Sequence, residues 1–393
     1  MKPWFKWLLS AANAILLLVL TGYWLNSSYT YGDERLLVQW SSILKRVILN
    51  IDEEPPKEDF LFINLAYEKA LIPTEDGLGS EVITDRAKLA QFFGIIKRHQ
   101  KEVKFTVCDV FLKGESENDS LFQANATGIK NLVFPNHHTD EGTLDQLSLE
   151  VPQALADYKM ASGGFLKFKL FQDDKLSTMP VYMYEKITGR KIADSGRLYR
   201  EGDNLSFNSV IIDYQIRSHE VFEQNEYPVV NLSELLLLPE EVIVGDFLKN
   251  RIVMMGDFQN DVHSTIFGSM PGTLILLNAY LTLIKGYHLI SWGWLVFILT
   301  GYLIFSRLML FPGDSNNQVQ NSKWFGPLLG SITYLSILSI LSYLFFNIHI
   351  QVLILTLYIT ALRFIITLPR TEWTGAQFKH WTLQLRETYF KFK

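Results

Sequence analysis

Four strongly apolar segments constrain this 393-residue chain more than any other feature. One lies near the N-terminus, Trp7–Leu25. Three crowd the last quarter, at about Leu289–Phe311, Phe325–Phe346 and Ile350–Leu368. Each holds 19 to 23 residues and none contains an acidic side chain. At about 1.5 Å per residue, that length crosses a hydrocarbon core of about 30 Å. Soluble helices of this size carry a polar stripe along one side. The sequence therefore predicts four transmembrane α-helices bracketing a polar region, 26–288. For the first segment the competing reading is a cleaved signal peptide. Its flank MKPWFK is suitably basic, but its apolar run exceeds the about 7–15 residues of a signal core, and Tyr23-Trp24-Leu25-Asn26 offers no small-x-small cleavage pattern. An uncleaved anchor is favoured.

Orientation follows from the basic residues in short flanks. Lys2 and Lys6 precede the first span, Arg307 and Lys323 border the link between the second and third, and Arg363, Arg370, Lys379, Arg386, Lys391 and Lys393 lie in or after the end of the fourth. The Asn347-Ile348-His349 hairpin has no formal charge. This bias places both termini and the 312–323 link in the cytoplasm, with 26–288 outside. An even number of spans agrees. The expected organisation is a flank and anchor over 1–25, an extracytoplasmic domain over 26–288, three spans over 289–368 and a short cytoplasmic tail over 369–393.

A net charge of −5 without a basic stripe beyond the membrane flanks argues against a nucleic-acid partner. Cys108 is the only cysteine, so the outer region has no internal disulfide and must be held by a packed core. It sits in the apolar run Phe105-Thr-Val-Cys-Asp-Val110 and reads as a buried, inert thiol.

Within 26–288, short apolar runs alternate with amphipathic stretches. Phe60–Leu65 suits a buried strand. Thr84-Asp85 offers an N-cap for a helix through about Gln100, with Leu89, Phe92, Phe93 and Ile96 three to four apart. Phe105–Val110 is the next strand, Asp119 caps a short helix to Ala126, and Asn131–Phe134 is a strand stopped by Pro135. Strand–helix–strand–helix–strand points to an α/β domain, a mostly parallel sheet with helices on its faces. Further on, Gly164–Phe171 and Leu205–Tyr214 read as strands, Arg197–Asn204 as turns, and Met179–Thr188 as a helix ended by Gly189. Arg251–Gly256 is a buried strand, and a helix over about Leu274–Lys285 closes at Gly286.

The last unit, Asn250-Arg-Ile-Val-Met-Met-Gly-Asp257, Asp261-Val-His-Ser-Thr265, Met270-Pro-Gly272, Leu277-Asn-Ala279 and Ile284-Lys-Gly286, stands immediately before a membrane segment. It resembles the closing signature of the second class of CHASE domains, extracytoplasmic sensory domains of bacterial receptors. The Phe60–Leu65 strand, Thr84-Asp-Arg86, Val107-Cys-Asp109 and Asn118-Asp-Ser-Leu121 fit as well, as does the layout of one span before the domain and three after. The resemblance implies a multi-pass protein of the bacterial cytoplasmic (inner) membrane acting in signal transduction. Two departures stand out. Asn64-Leu-Ala66, with only Glu68 beyond, replaces the acidic residues that members commonly carry at the end of the first strand. The tail Pro369–Lys393 is too short for an output module, so any output would lie on another chain.

No motif indicates catalysis. Gly268-Ser-Met-Pro-Gly272 has its serine at the wrong position for a nucleophile elbow. A phosphate-cradling lysine loop and a paired-histidine zinc helix are both missing from the sequence. The spans carry no carboxylate for an ion relay, which argues against a pump or channel. The expectation is a non-enzyme with no catalytic residues, no cofactor and no resident metal.

The candidate ligand residues are Asp257, Asp261 and His263, with Asn260 and Thr265 beside them, directly after the Arg251–Gly256 strand. Asp109, at the end of another strand, points the same way. Open α/β sheets gather ligands beyond the carboxyl ends of their strands. Two carboxylates and an imidazole suit a divalent cation or the amine of a small ligand. The alternative, favoured by the sequence, is structural: Asp261 and His263 tie the loop to neighbouring backbone amides. His137, His138, Asp140 and Glu141 form a second cluster, read as a solvated loop because adjacent histidines usually diverge. In the third span, Gly326, Gly330, Ser336, Ser339 and Ser342 favour close packing among the chain's own spans over a partner interface, which would allow a homo-oligomer. Arg307 reads as reaching for the cytoplasmic headgroups. Phe378, Trp381, Leu385 and Tyr389 make an amphipathic stretch for the inner leaflet or for a docking partner.

The expected function is a membrane sensor or accessory subunit that binds a small molecule or an envelope partner and relays to a membrane or cytoplasmic protein. The alternative is a structural or assembly component of an envelope complex.

Overall fold

The computed structural model describes residues 2–27, 32–51, 54–73, 79–110, 112, 114–139, 144–145, 150–157, 164–172, 176–194, 198–311 and 325–367. Its main helices are α1 (Pro3–Leu25), α2 (Gly32–Ile43), α3 (Arg86–Arg98), α4 (Asp119–Ala126), α5 (Met179–Thr188), α6 (Gly272–Ile284), α7 (Trp292–Leu310), α8 (Phe325–Phe346) and α9 (Val352–Thr367). Six strands run parallel: β1 (Phe60–Asn64), β2 (Phe105–Asp109), β3 (Leu132–His138), β4 (Gln153–Leu155), β5 (Val229–Asn231) and β6 (Ile252–Gly256). Their spatial order is β5-β1-β6-β2-β3-β4, and the two-residue strand Leu144–Asp145 pairs antiparallel with the end of β3.

β1 and β6 are buried at every position, because helices cover both faces of the sheet. The pleat divides their side chains. Leu61 and Ile63 join Phe92, Phe93, Phe122 and Phe134 under α3 and α4. Phe60, Phe62 and Met254 face Tyr184, Leu277 and Leu283 of α5 and α6. α3 starts where the sequence places it: Asp85 accepts from the amides of Ala87 and Lys88 at 3.0 and 3.2 Å, capping two orphan donors. α5 ends on Gly189, whose φ of 72° is left-handed and suits glycine.

Several expectations need correction. β3 does not stop at Pro135 but continues to His138. On its outer side Phe134 donates to Pro152 and Asn136 accepts from Ala156. Pro135 would donate to the opposite side, where pairing with β2 has already ended at Val107↔Val133, so the missing N–H costs no ladder bond. Asp119 is the first residue of α4 rather than its cap; its carboxylate pairs with Arg86 and accepts from the Ser116 amide. The segment read as one strand over 205–214 is two pieces, Asn204–Ser206 and Ser209–Ile211, which pair with different partners. Tyr199–Glu201, read as turn, is a strand, and 164–171 holds only the short strand Lys167–Lys169 and the start of Phe171–Gln172. α2 is absent from the sequence reading altogether.

α1, α7 and Leu329–Phe346 of α8 are long and apolar enough to cross a membrane; α9 is a shorter apolar helix. All four share one core that includes Leu17, Ile298, Tyr302, Leu335, Leu355 and Ile359. Polar bonds cross it: Asn13 donates to Ser306 at 2.8 Å, Tyr358 to Asn13 at 2.8 Å, and Trp294 to Ser342 at 2.9 Å. The close crossing is at Gly301, where an added Cβ would lie 2.6 Å from Leu338, and not at Gly330, whose nearest neighbour stands at 3.8 Å. Ser339 and Ser342 instead hold the following turn through Ile350 and Ile348. The Arg307 guanidinium lies 5.3 Å over both the Trp7 and the Phe311 rings. The 312–323 link and the 378–389 stretch lie outside the described residues.

Candidate functional site

β2, β3 and β6 end side by side, and their C-terminal ends open into one cleft of about 610 Å³. Asp109 closes β2, His137 comes from the continuation of β3, and Asp257 follows β6. After Asp257 the chain turns into the hairpin β7 (Val262–Thr265) and β8 (Gly268–Pro271), which feeds directly into α6. The cleft is thus walled by strand ends, by this hairpin and by the first turns of α6, with Gly272, Ile275 and Leu276 in the wall. On the far side stand Lys69, Glu81, Val82 and Ile83 of a second hairpin, Lys69–Pro73 with Ser80–Thr84.

All four candidate residues from the sequence line this cleft, but their parts differ from those expected. Asp257, not Asp261 or His263, ties the loop. Its Oδ1 accepts from the amides of Gln259 and Asn260 at 3.2 and 2.9 Å, an Asx-type turn, and its Oδ2 pairs with Lys69 at 3.1 Å. Burial alone would raise its pKa, but the Asn260 and Lys69 bonds outweigh burial and hold it below the usual value. Asp261 and His263 face each other instead, Oδ1 to Nε2 at 2.9 Å, both about two-fifths exposed. Pairing with Asp261 raises the His263 pKa against the opposing pull of burial. Gly272 makes room for this pair: a Cβ there would sit 2.5 Å from Asp261 Oδ2.

Asp109 accepts from Thr273 Oγ1 at 3.0 Å, which joins the end of β2 to the first turn of α6. Gly256 permits that approach, since a Cβ on it would fall 2.0 Å from Thr273 Oγ1. Burial first, and the Asp261 charge second, push the Asp109 carboxyl up to about 7, against the opposing pull of Thr273, His137 and His263.

The second cluster is not a solvated loop of diverging histidines. His137 and His138 converge on one carboxylate, with Nδ1 of each lying 2.7 and 3.0 Å from Asp157 Oδ1 and Oδ2. Two histidines can share it because Asp157, just past the end of β4, offers one oxygen to each. The Asp157 bond raises the His137 pKa. Burial works against ionised Asp157, but the histidine bonds outweigh it and lower its pKa. Asp140 and Glu141 lie outside the described residues. Asp157, Lys69 and Thr273 are site residues that sequence reasoning missed, and His137 is one that it assigned to a solvated loop. Extending β3 past Pro135, on the same strand-end logic, would have reached His137.

Asn64, at the end of β1, donates to Asn231 and caps the Ala66 amide. Glu68 is buried and engaged by Lys88 and the Ser233 amide. Neither lines the cleft. Cys108 is fully buried, and burial raises its thiol pKa, as expected of an inert core thiol. Among the described residues, no three His, Cys, Asp or Glu side chains converge as a metal shell requires.

No protein-family model, curated protein or solved structure matches the chain.

Proposed function

We propose that this chain is a membrane-anchored sensor subunit, without catalytic activity of its own, that takes a small amphipathic amine in the cleft. The observation that carries this reading is the position of α6. Its first turn lines the cleft and holds Asp109, and its last turn passes through Gly286 and His288 into α7. Occupancy at one end can therefore bear on a membrane helix at the other.

The ligand class follows from charge. Of the carboxylates lining the cleft, Glu81 stands exposed on the far wall, Asp157 is engaged by two histidines and Asp257 by Lys69 and Asn260. Asp109, beside the Asp261–His263 pair, is about half protonated at neutral pH. A ligand ammonium would favour its ionised form. Val82, Ile83, Phe165, Ile275 and Leu276 offer an apolar bed for the rest of such a molecule. A metal fits less well, since no ligand shell converges among the described residues.

In this reading α9 is the fourth span. Its core contacts with α1, α7 and α8 support that placement, as does the Tyr358–Asn13 bond. Both termini are cytoplasmic, by the bias of basic flanks, and residues 26–288 lie on the outer side of the cytoplasmic membrane. The sensory role follows the resemblance to the second CHASE class, and the spans relay occupancy to a membrane or cytoplasmic partner. The test is thermal unfolding of the full chain in lipid nanodiscs against matched pairs of primary amines and neutral alcohols of equal size. Amines should raise the melting temperature and alcohols should not; equal effects, or none, would reject the ligand class.

A further inference from the structure

α2 is inside out for a helix in water. Its inward stripe, Glu34, Val38, Ser41 and, in the turn that continues the helix, Lys45, is buried at 0 to 3% exposure, and all but Val38 are polar. Its outward stripe carries Leu36, Trp40 and, in the same turn, Val47 and Ile48, all between 58 and 68% exposed. A water-facing helix shows the reverse pattern. The two buried charged groups are engaged: Lys167 lies 2.6 Å from Glu34, and Lys45 reaches the Tyr287 hydroxyl at 3.2 Å, while the half-buried Ser42 bonds Tyr343 at 2.8 Å.

The same contacts fix where α2 lies. Near its start, the Asp33 carboxylate accepts from the Leu353 amide at the beginning of α9, at 3.0 Å. Near its end, Ser42 meets Tyr343, close to the end of α8. α8 and α9 are joined there by the 347–351 turn, so both ends of α2 sit at one level of the helix bundle. The helix therefore crosses the mouth of the bundle instead of rising away from it. The start of this helix is thus bonded to the backbone of Leu353, whose own side chain is 47% exposed on α9, which sets the apolar stripe at the level of the outward apolar surface of the spans.

We infer that α2 and the turn after it, residues 33–49, lie in the outer leaflet of the bilayer, with Leu36, Trp40, Val47 and Ile48 against acyl chains and the polar stripe against protein. Trp40 then sits at the depth where interfacial tryptophans gather. The membrane part of the chain extends beyond Leu25, and the water-exposed domain begins only after this helix. An apolar stripe of this length could also serve as a protein-docking face, but its position level with the outward apolar surface of the spans favours lipid as the occupant.

Single thiols at Trp40→Cys and Val47→Cys test this, because native Cys108 is buried and stays silent. Each is labelled with an environment-sensitive fluorophore, and the full chain is placed in phosphatidylcholine vesicles with brominated acyl chains. Val296→Cys on α7 marks acyl contact and Gln224→Cys marks water. Positions 40 and 47 should be quenched by bromine like position 296 and spared by aqueous iodide, with position 224 the reverse. Iodide quenching at 40 and 47, with 296 still quenched by bromine, would overturn the inference while leaving the spans intact. Shielding from both quenchers would also overturn it, since a second copy of the chain would then cover the face.

Discussion

Thr273 donates to Asp109 at 3.0 Å, so the first turn of α6 is bonded to the end of a central strand whose carboxylate titrates near neutrality. One cleft carboxylate is thereby coupled by a hydrogen bond to the helix that leads into α7, which is long and apolar enough to cross a membrane.

That coupling has a pH signature. Asp109 binds its proton more tightly folded than unfolded, because its pKa is raised from 3.8 to about 7. Its contribution to stability is thus fully present below about pH 4 and is lost as pH rises through 7. Asp109→Asn keeps the Thr273 bond and removes this loss. The variant should match the parent at about pH 3.5, melt at progressively higher temperature than the parent up to about pH 7, and keep that lead at pH 8. A difference that does not grow between about pH 3.5 and pH 7 would contradict the assignment.

The Asp261–His263 pair carries a trend of the same sign in a higher pH window. His263 is raised by its partner, so the pair adds stability below the unfolded histidine pKa and loses it as pH rises through the raised folded value. Both side chains are two-fifths exposed, which limits the contribution to about 0.2–1 kcal/mol. Asp261→Asn should therefore cost little in melting temperature at pH 6 and nothing at pH 8.5, while weakening amine binding. A large loss of stability at both pH values would make the pair structural.

Two glycines should separate in severity. Gly256→Ala drives a Cβ into Thr273 Oγ1 inside a fully buried strand and should cost about 1–3 kcal/mol, with the Asp109 bond lost. Gly272→Ala meets the movable end of Asp261 and should cost less, on the order of the pair it disturbs. Unfolding of the two variants in nanodiscs checks the order; the reverse ranking would contradict it.

Lys167 and Glu34 form a buried pair, 3% and 0% exposed, between the domain and α2. Lys167→Met removes the cation beside buried Glu34 and should destabilise by about 3–5 kcal/mol. Adding Glu34→Gln should restore part of that loss. A double variant less stable than the single would count against the pairing.

Four of the six parallel strands are legible in the sequence because they are apolar runs, whereas Gln153–Leu155 and Val229–Asn231 are too short to mark themselves; the cleft is legible because Asp109 and Asp257 stand at the ends of two of the four. His137 is hidden by Pro135, since sequence alone does not tell which side of a strand needs an N–H. The middle of the domain is illegible for a different reason. Its pieces are held by distant partners, Phe165 by Ser264 and Leu170 by Asn208, so no local period marks them. α2 escapes because its polar residues face inward to partners as far away as Lys167 and Gln351. Asp261 and His263 stand out in the sequence, but only the folded hairpin reveals that they face each other.

The central claim, an amine held by Asp109, is tested most directly by measuring amine affinity across pH in the full chain and in Asp109→Asn. Ionised Asp109 is the binding form, and His137 and His263 lose positive charge as pH rises, which acts in the same favourable sense. Affinity should therefore strengthen by about tenfold from pH 6 to pH 8 and level off above. Asp109→Asn should bind more weakly and lose most of that rise. Affinity that is flat across pH in the parent, or unchanged in the variant, would contradict the account.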